Sequence, residues 1–335
     1  MRISRIACLL AFVAFAFAGP VSALEMPANR PTNDPAALER QLNSERDLPS
    51  GRIEGFTHIP DQKEGVLIQP QGRWFRDIRT RYQPYFDGAL IIIAVGAMML
   101  LYFVAGPMRY TPDARGRRVK RFTNLERFVH WTTSVSFVWL ALSGLNLVFG
   151  RWLLAPVIGD DAFAALSHYA KLSHNSVGIV FILALIAMTI QWVNPNLPSK
   201  IDLEWIKRAG GMFGGPHPPA RKFNAGQKMI YWLAVFGGGA ICLTGIALLT
   251  PFYVLNIAGM QYAHLLHSGI SALMIAAVIG HIYLGSVGVR GSLEAMTTGS
   301  VDRNWAHEHH PLWLEELDAK RDGVADPAMP MRPAE

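Results

Sequence analysis

Cysteine and charged residues are both scarce in this 335-residue chain, which has two cysteines and 17% Asp, Glu, Lys and Arg. No C-x-x-C-H motif occurs, so covalent attachment of a c-type haem is not supported. If the first residues are removed as a signal, Cys8 leaves with them and Cys242 remains alone. A single thiol excludes a disulfide framework and cannot hold an iron–sulfur cluster. The low charge, 51% hydrophobic residues and a mean hydropathy of +0.21 argue against an ordinary soluble protein.

Five long runs lack Lys, Arg, Asp and Glu altogether, and each is near the roughly 20 residues needed to cross a bilayer. The runs are Gly88–Gly106, Phe128–Gly150, Val177–Val193, Met229–Thr250 and Leu265–Val289. Buried helices of a large soluble enzyme would need a polar shell that this composition does not supply. The sequence therefore predicts an all-α membrane protein with five transmembrane helices.

The N-terminus has the pattern of a secretory signal peptide over residues 1–23. Arg2 and Arg5 precede the apolar run Ile6–Ala18, which ends at Gly19 and Pro20 before the small residues up to Ala23. An uncleaved membrane anchor is the alternative, because the run is only slightly shorter than a spanning helix.

Charge predicts the orientation of the chain in a bacterial inner membrane. The loop 108–127 carries seven Lys or Arg residues and two acidic ones, which marks it as cytoplasmic under the positive-inside rule. Residues 24–86 are then periplasmic, 87–107 form an extra transmembrane helix, 128–290 form the main transmembrane domain, and 291–335 form a cytoplasmic tail. Topology and lipid headgroups account for the basic excess, so no nucleic-acid partner is predicted.

Four histidines lie in or at the ends of the apolar runs: His130, His174, His267 and His281. An imidazole in a bilayer is costly without a partner, so each is a functional candidate. Fourteen residues separate His267 from His281, which on a helix gives a rise of about 21 Å and nearly the same face. By depth, His174 pairs with His267 near the outer face. His130 pairs with His281 near the cytoplasmic face.

Two neutral imidazoles on facing helices can supply both axial bonds to a haem iron, so the two pairs predict two haem b groups. An iron ligated in this way has no open position for substrate, and the predicted role is electron transfer. A metal-ion carrier and a proton relay remain as alternatives. His264 lies one turn before His267, but it does not have the fourteen-residue spacing to His281, so His267 is favoured as the ligand. The run His307–His310 can bind a metal weakly, but a solvated tail or a partner-docking patch is favoured.

Several local motifs follow one another along the chain: Glu126–Trp131, Ala141–Gly144, Lys222–Lys228, the helix with His267 and His281, Arg290–Ser292 and His309–Trp313. In this order they resemble the gamma (cytochrome b) subunit of membrane-bound respiratory formate dehydrogenase. The resemblance runs from about Arg121 to Glu316, and Asn224–Lys228 is its most specific piece.

The resemblance implies a four-helix haem-b transmembrane bundle, to which this chain adds one N-terminal transmembrane helix and a signal-like segment. It implies an iron–sulfur beta subunit and a molybdenum or tungsten alpha subunit as partners, with formate chemistry in the alpha subunit. It also implies quinone binding by Asn224, Gln227 and His281. The residues alone favour a second role for Asn224 equally, as the N-cap of the following helix. Rival functions are the cytochrome b of a nickel–iron hydrogenase or thiosulfate reductase and, in another class, a histidine-based transition-metal transporter.

Overall fold

A computed structural model describes residues 70–211, 217–321 and 323. The predicted signal peptide, residues 1–23, and nearly all of the predicted periplasmic segment lie outside the described residues. His58, which the sequence suggests is a surface residue, also lies outside them.

Five helices in the described residues are long and apolar enough to cross a membrane. The first apolar span, Trp74–Val104, comprises the second half of α1 (Pro70–Asp77), a π-helical segment Ile78–Tyr82, and α2 (Gln83–Val104). The other four are α3 (Asn124–Leu153), α5 (Asp160–Trp192), α7 (Ala225–Leu249) and α8 (Ile257–Tyr283), the last extended by a π-helical segment to Gly288. Their outward side chains are apolar and exposed, as a surface that faces lipid requires. The predicted all-α membrane architecture is confirmed.

Polar residues at the helix starts explain where the long helices begin. Thr123 and Glu126 form a reciprocal capping box at the start of α3. At α8, the side-chain oxygen of Asn256 accepts a hydrogen bond from the Gly259 amide at 2.9 Å. Helix α5 begins at Asp160, well before the apolar run at Val177, because two aspartates in its first turn complement the helix dipole.

The long helices pack in a series, α3 on α5, α5 on α7, α7 on α8, and α8 on α2. The extra N-terminal span therefore packs directly on the helix that carries His267 and His281. Gln83 donates to the Leu265 carbonyl at 2.7 Å, and the Ser268 hydroxyl donates to the buried Asp87 carboxyl at 2.7 Å. These polar contacts fix α2 against α8 where apolar packing alone would leave its register loose.

The C-terminal segment folds back onto the basic loop at one end of the bundle. Strands β1 (Arg118–Lys120) and β2 (Ser300–Asp302) pair antiparallel. Three short helices complete this region: α9 (Ser292–Thr297), α10 (Arg303–His309) and α11 (Pro311–Arg321). We call residues 118–122 and 292–321 the cap. Two further short helices, α4 (Ala155–Ile158) and α6 (Lys200–Lys207), lie in separate interhelical connections.

Arg121 and His310 are buried at the centre of the cap. The Arg121 guanidinium donates to the Lys222 carbonyl at 2.6 Å and lies 3.0 Å from His310 Nε2. It also lies over the rings of Trp305 and Trp313, at 5.3 and 4.9 Å from the centroids. Burial lowers the pKa of Arg121 to about 9.

The expectation of a solvated tail at His307–His310 is wrong for His310, which is 1% exposed. Its Nδ1 lies 2.7 Å from the Arg221 carbonyl, so Nδ1 donates and Nε2 is left to accept from Arg121. His309 stacks on Trp305 at 4.9 Å. The disfavoured alternative, a weak metal site at this run, finds no support, because no group of three or more metal-binding side chains occurs in the described part of the chain.

We predict that the cap loosens as the pH falls below about 6.5. Burial lowers the pKa of His309 to about 4 and holds the pKa of His310 well below its ordinary value. Between an ordinary histidine pKa and pH 4, His309 and His310 take up protons when the cap is detached from the bundle but stay neutral when the cap is packed in place. Each histidine therefore lowers the free energy that holds the cap in its packed state by about 1.4 kcal/mol for each unit by which the pH falls. Above this range neither histidine contributes a pH dependence.

Hydrogen exchange of the peptide 300–321, measured from pH 7 to pH 4 after correction for intrinsic exchange, checks this prediction. His309→Gln should reduce the slope, whereas the same change at the exposed His307 should leave it unaltered. Equal slopes in all three proteins would contradict the prediction.

Candidate functional site

Two pairs of histidines face each other between helices of the bundle, and His281 is the one exposed member. His174 on α5 lies opposite His267 on α8, with ring centroids 6.3 Å apart. His130 on α3 lies opposite His281 on α8, also with ring centroids 6.3 Å apart. The latter pair is near the cap, since the neighbouring Trp131 donates to the Met296 carbonyl of α9 at 3.0 Å. We call these the distal pair and the cap-side pair.

The separation within each pair fits a metal ion between two imidazoles. Metal–imidazole bonds of about 2 Å on opposite sides of one ion place the ring centroids about 6 Å apart. Zinc sites take about four protein ligands or three with water, and no cluster of three or more His, Cys, Asp or Glu side chains occurs among the described residues. Two axial imidazoles alone suit an iron whose other ligands come from a porphyrin. The residues therefore fit a haem in each pair.

Small residues on the neighbouring helices let the distal imidazoles approach closely. A Cβ at Gly245 would lie 3.2 Å from His267 Cε1, and one at Gly144 would lie 3.6 Å from His174 Cε1. Other glycines serve helix packing instead, since a Cβ at Gly237 would lie 2.7 Å from the Met274 sulfur.

Hydroxyl groups hold the rings of the distal pair. Ser143 Oγ lies 2.8 Å from His174 Nδ1, and Thr244 Oγ1 lies 3.0 Å from His267 Nδ1. These contacts engage Nδ1 of each ring and leave Nε2 available as a metal ligand. The sequence interpretation did not include either hydroxyl, although the repeated pattern of a hydroxyl residue followed by glycine is a signal for both.

The cap-side pair has a different environment. His130 Nδ1 is buried and has no hydrogen-bond partner among the described residues. The His130 ring contacts Trp192, with centroids 6.3 Å apart. Trp192 donates from Nε1 to Glu126 Oε1 at 3.1 Å, so an indole anchored to α3 packs beside this pair.

The loop before α7 lies next to the cap-side pair. Phe223 contacts Trp192 at 5.7 Å between centroids, and Lys222 Nζ lies 2.7 Å from Glu126 Oε1. Asn224 Oδ1 accepts from the Gln227 amide at 2.9 Å, and Gln227 Oε1 accepts from the Asn224 amide at 3.1 Å. Asn224 and Gln227, the two residues of this loop that were predicted to bind quinone, thus form a capping box. Their side-chain NH2 groups make no hydrogen bond with the described residues.

The other histidines of the described residues do not join the pairs. His264 contacts Phe75 at 5.6 Å between centroids, toward the extra N-terminal span. His168 is exposed on α5. The sequence analysis included Glu126 and Lys222 only as members of resemblance motifs and did not include Trp192, because neither hydropathy nor helical spacing predicts the contacts that anchor this loop.

Comparison with known proteins gives matches over the part of the chain that carries the paired histidines. A sequence model described as prokaryotic cytochrome b561 matches residues 121–299, the region that contains all four paired histidines. The nitrate-inducible formate dehydrogenase cytochrome b556(Fdn) subunit of Escherichia coli K12 is 29% identical over 212 residues, covering 61% of this chain and 94% of its own. The E. coli K12 formate dehydrogenase cytochrome b556(fdo) subunit is 28% identical, covering 59% and 93%. The Haemophilus influenzae formate dehydrogenase cytochrome b556 subunit is 27% identical, covering 59% and 83%.

The predicted resemblance is confirmed by these relatives. The extra N-terminal span and the segment before it lie outside the family match. Since the match covers more than half of the 335 residues, this integral membrane protein belongs to the prokaryotic cytochrome b561 family.

Proposed function

We propose that this chain is the membrane subunit of a bacterial formate dehydrogenase. In this role it carries electrons from a periplasmic iron–sulfur beta subunit, served by a molybdenum or tungsten alpha subunit, to quinone on the cytoplasmic side. The observation that carries the proposal is the presence of two imidazole pairs with equal 6.3 Å separations that share the helix α8. The formate dehydrogenase relatives support the choice of complex.

The four histidines would hold two haem b groups, which supply reversible one-electron chemistry when bound. His174 and His267 would hold one, and His130 and His281 the other. With two imidazoles on each iron, neither haem would offer a free position for formate, so this chain would supply electron transfer and a quinone site but no formate chemistry.

Charge supports the proposed orientation in the inner membrane. The cap and its basic loop contain Arg117, Arg118, Lys120 and Arg121, while the connection 250–256 between α7 and α8 at the other end has no charged residue. Under the positive-inside rule the cap is cytoplasmic. The C-terminus is then cytoplasmic, the N-terminal segment is periplasmic, and the distal pair is nearer to the periplasm.

Free amide groups support a quinone site beside the cap-side pair. The NH2 groups of Asn224 and Gln227 can donate to a quinone carbonyl while the oxygens of the same side chains continue to cap α7. Lys222 and Glu126 anchor this loop to the His130 helix. His281 is the third residue proposed to line the site.

We predict that Asn224→Asp and Gln227→Glu each slow quinone reduction about tenfold, because each removes one hydrogen-bond donor worth about 1.4 kcal/mol. Each substitution keeps the side-chain oxygen that caps α7, so the haem content should not change. Formate-dependent reduction of a soluble quinone by the purified complex measures the effect. Asn256→Asp, at the N-cap of α8, is the matched control and should behave as the unmodified protein. Normal quinone reduction in both loop variants would remove these residues from the site.

Reduced-minus-oxidised spectra of membranes that contain the assembled complex test the proposed function. Formate should reduce b-type haem in the presence of this chain and not in its absence. Reduction by hydrogen, or oxidation of the reduced haem by thiosulfate, in place of reduction by formate would favour the rival cytochrome b subunits. A colourless protein that binds zinc or copper would favour a transporter.

A further inference from the structure

We infer that Ser143 and Thr244 are positioning residues that fix the tautomer of the distal imidazoles and lower the redox potential of the haem held there. The inference rests on the proposed haem ligation. It adds that the haem at the distal pair has the lower redox potential of the two. It follows from the difference between the hydrogen bonds at the two pairs.

The Ser143 hydroxyl can only accept from His174 when its own hydrogen is engaged elsewhere. Ser143 Oγ lies 2.8 Å from the Trp139 carbonyl and 3.1 Å from the Leu140 carbonyl of its own helix. A carbonyl accepts and never donates, so the single hydroxyl hydrogen goes to one of them. The lone pairs of Oγ then accept from His174 Nδ1 at 2.8 Å. The Leu140 carbonyl is a further acceptor beside this ring.

Thr244 repeats this arrangement at His267. Its Oγ1 lies 2.8 Å from the Ala240 carbonyl and 3.1 Å from the Ile241 carbonyl. The hydroxyl oxygen then accepts from His267 Nδ1 at 3.0 Å, and the Ile241 carbonyl is again a further acceptor. Both distal rings therefore carry their hydrogen on Nδ1 and leave the Nε2 lone pair available, as an axial ligand requires.

The cap-side rings lack such acceptors. His130 Nδ1 is buried without a partner, and the exposed His281 makes no hydrogen bond with the described residues. The Ser136 hydroxyl, on the same helix as His130, does not bond a histidine. Its Oγ donates to the Thr132 carbonyl at 2.7 Å. The difference between the pairs is thus one of hydrogen bonding rather than of ring separation.

An acceptor on Nδ1 raises the electron density that an imidazole gives to its metal. A more basic pair of ligands stabilises the oxidised iron more than the reduced iron, and so lowers the potential of that site. The site held by His174 and His267 is therefore the lower in potential. Electron transfer from the distal end toward the cap is then favourable in free energy.

Redox titration of the purified haem-loaded complex tests the inference. Ser143→Ala and Thr244→Val each remove one acceptor, and each should raise the lower of two midpoint potentials while leaving the higher one in place. We expect about a tenfold change in the oxidised-to-reduced ratio at fixed ambient potential, which corresponds to about 59 mV for one electron. Thr244→Ser keeps a hydroxyl and should restore the original value.

Two control variants keep the result specific. Ser136→Ala removes a hydroxyl from the same helix as Ser143, and Thr189→Val removes one that bonds only the Leu185 carbonyl. Neither should move a potential. Haem counted per polypeptide separates the failures: fewer than two haems in the unmodified protein contradicts the proposed ligation. Two haems with unchanged potentials in both Thr244→Val and Ser143→Ala overturns the inference alone, and Thr244→Val decides if Ser143→Ala does not assemble.

Discussion

Replacing His174 or His267 by alanine should remove one of two haems and stop the reduction of the other by formate. Each substitution leaves the iron with one protein ligand in a site built for two, so haem affinity should fall steeply. If electrons enter at the distal pair, the cap-side haem should then stay oxidised with formate but still be reduced by dithionite. Haem quantification together with formate-reduced and dithionite-reduced spectra measures both effects.

Two neighbouring histidines provide controls for this experiment. His168 is exposed on the same helix as His174, and His264 lies one turn from His267 but faces Phe75. Alanine at either position should leave two haems and normal reduction by formate. Retention of two haems in both His174→Ala and His267→Ala would show that these rings are not iron ligands.

Replacing His281 by alanine should affect the other haem of the two. The cap-side haem should be lost, while the distal haem stays reducible by formate. Quinone reduction should fall by about a hundredfold or more, because the variant removes both an axial ligand and a residue proposed to line the quinone site. Stopped-flow reduction of the remaining haem, with steady-state quinone turnover, separates the two steps.

Ile282 is the matched control for His281. It is the next residue on α8 and is 53% exposed on the lipid-facing surface. Alanine there should leave both haems and quinone turnover intact. Normal quinone turnover in His281→Ala would contradict the proposed order of sites along the bundle.

The sequence predicted the parts of this site that depend on hydropathy and helical periodicity. Fourteen residues between His267 and His281 place both rings on nearly one face of a continuous helix, and the structure places each ring opposite an upstream histidine. Depth alone was enough to pair them, because α3 and α5 enter the bundle from opposite ends.

Contacts that depend on single polar side chains could not be predicted in this way. Asp87 and Gln83 fix the extra span to α8 through hydrogen bonds that no periodic pattern marks. The cap was missed because its core consists of short segments, with buried residues such as Trp305 and His310 that average hydropathy assigns to a polar tail. Likewise, the early start of α5 follows from aspartates at its N-terminus, outside the apolar run.

The most direct test of the central claim is the amount and spin state of haem bound per polypeptide in the purified protein. The account predicts two b-type haems, both six-coordinate and low-spin, as two pairs of opposed imidazoles require. A protein that binds no haem, or one that binds haem with an open axial position at either site, would contradict it.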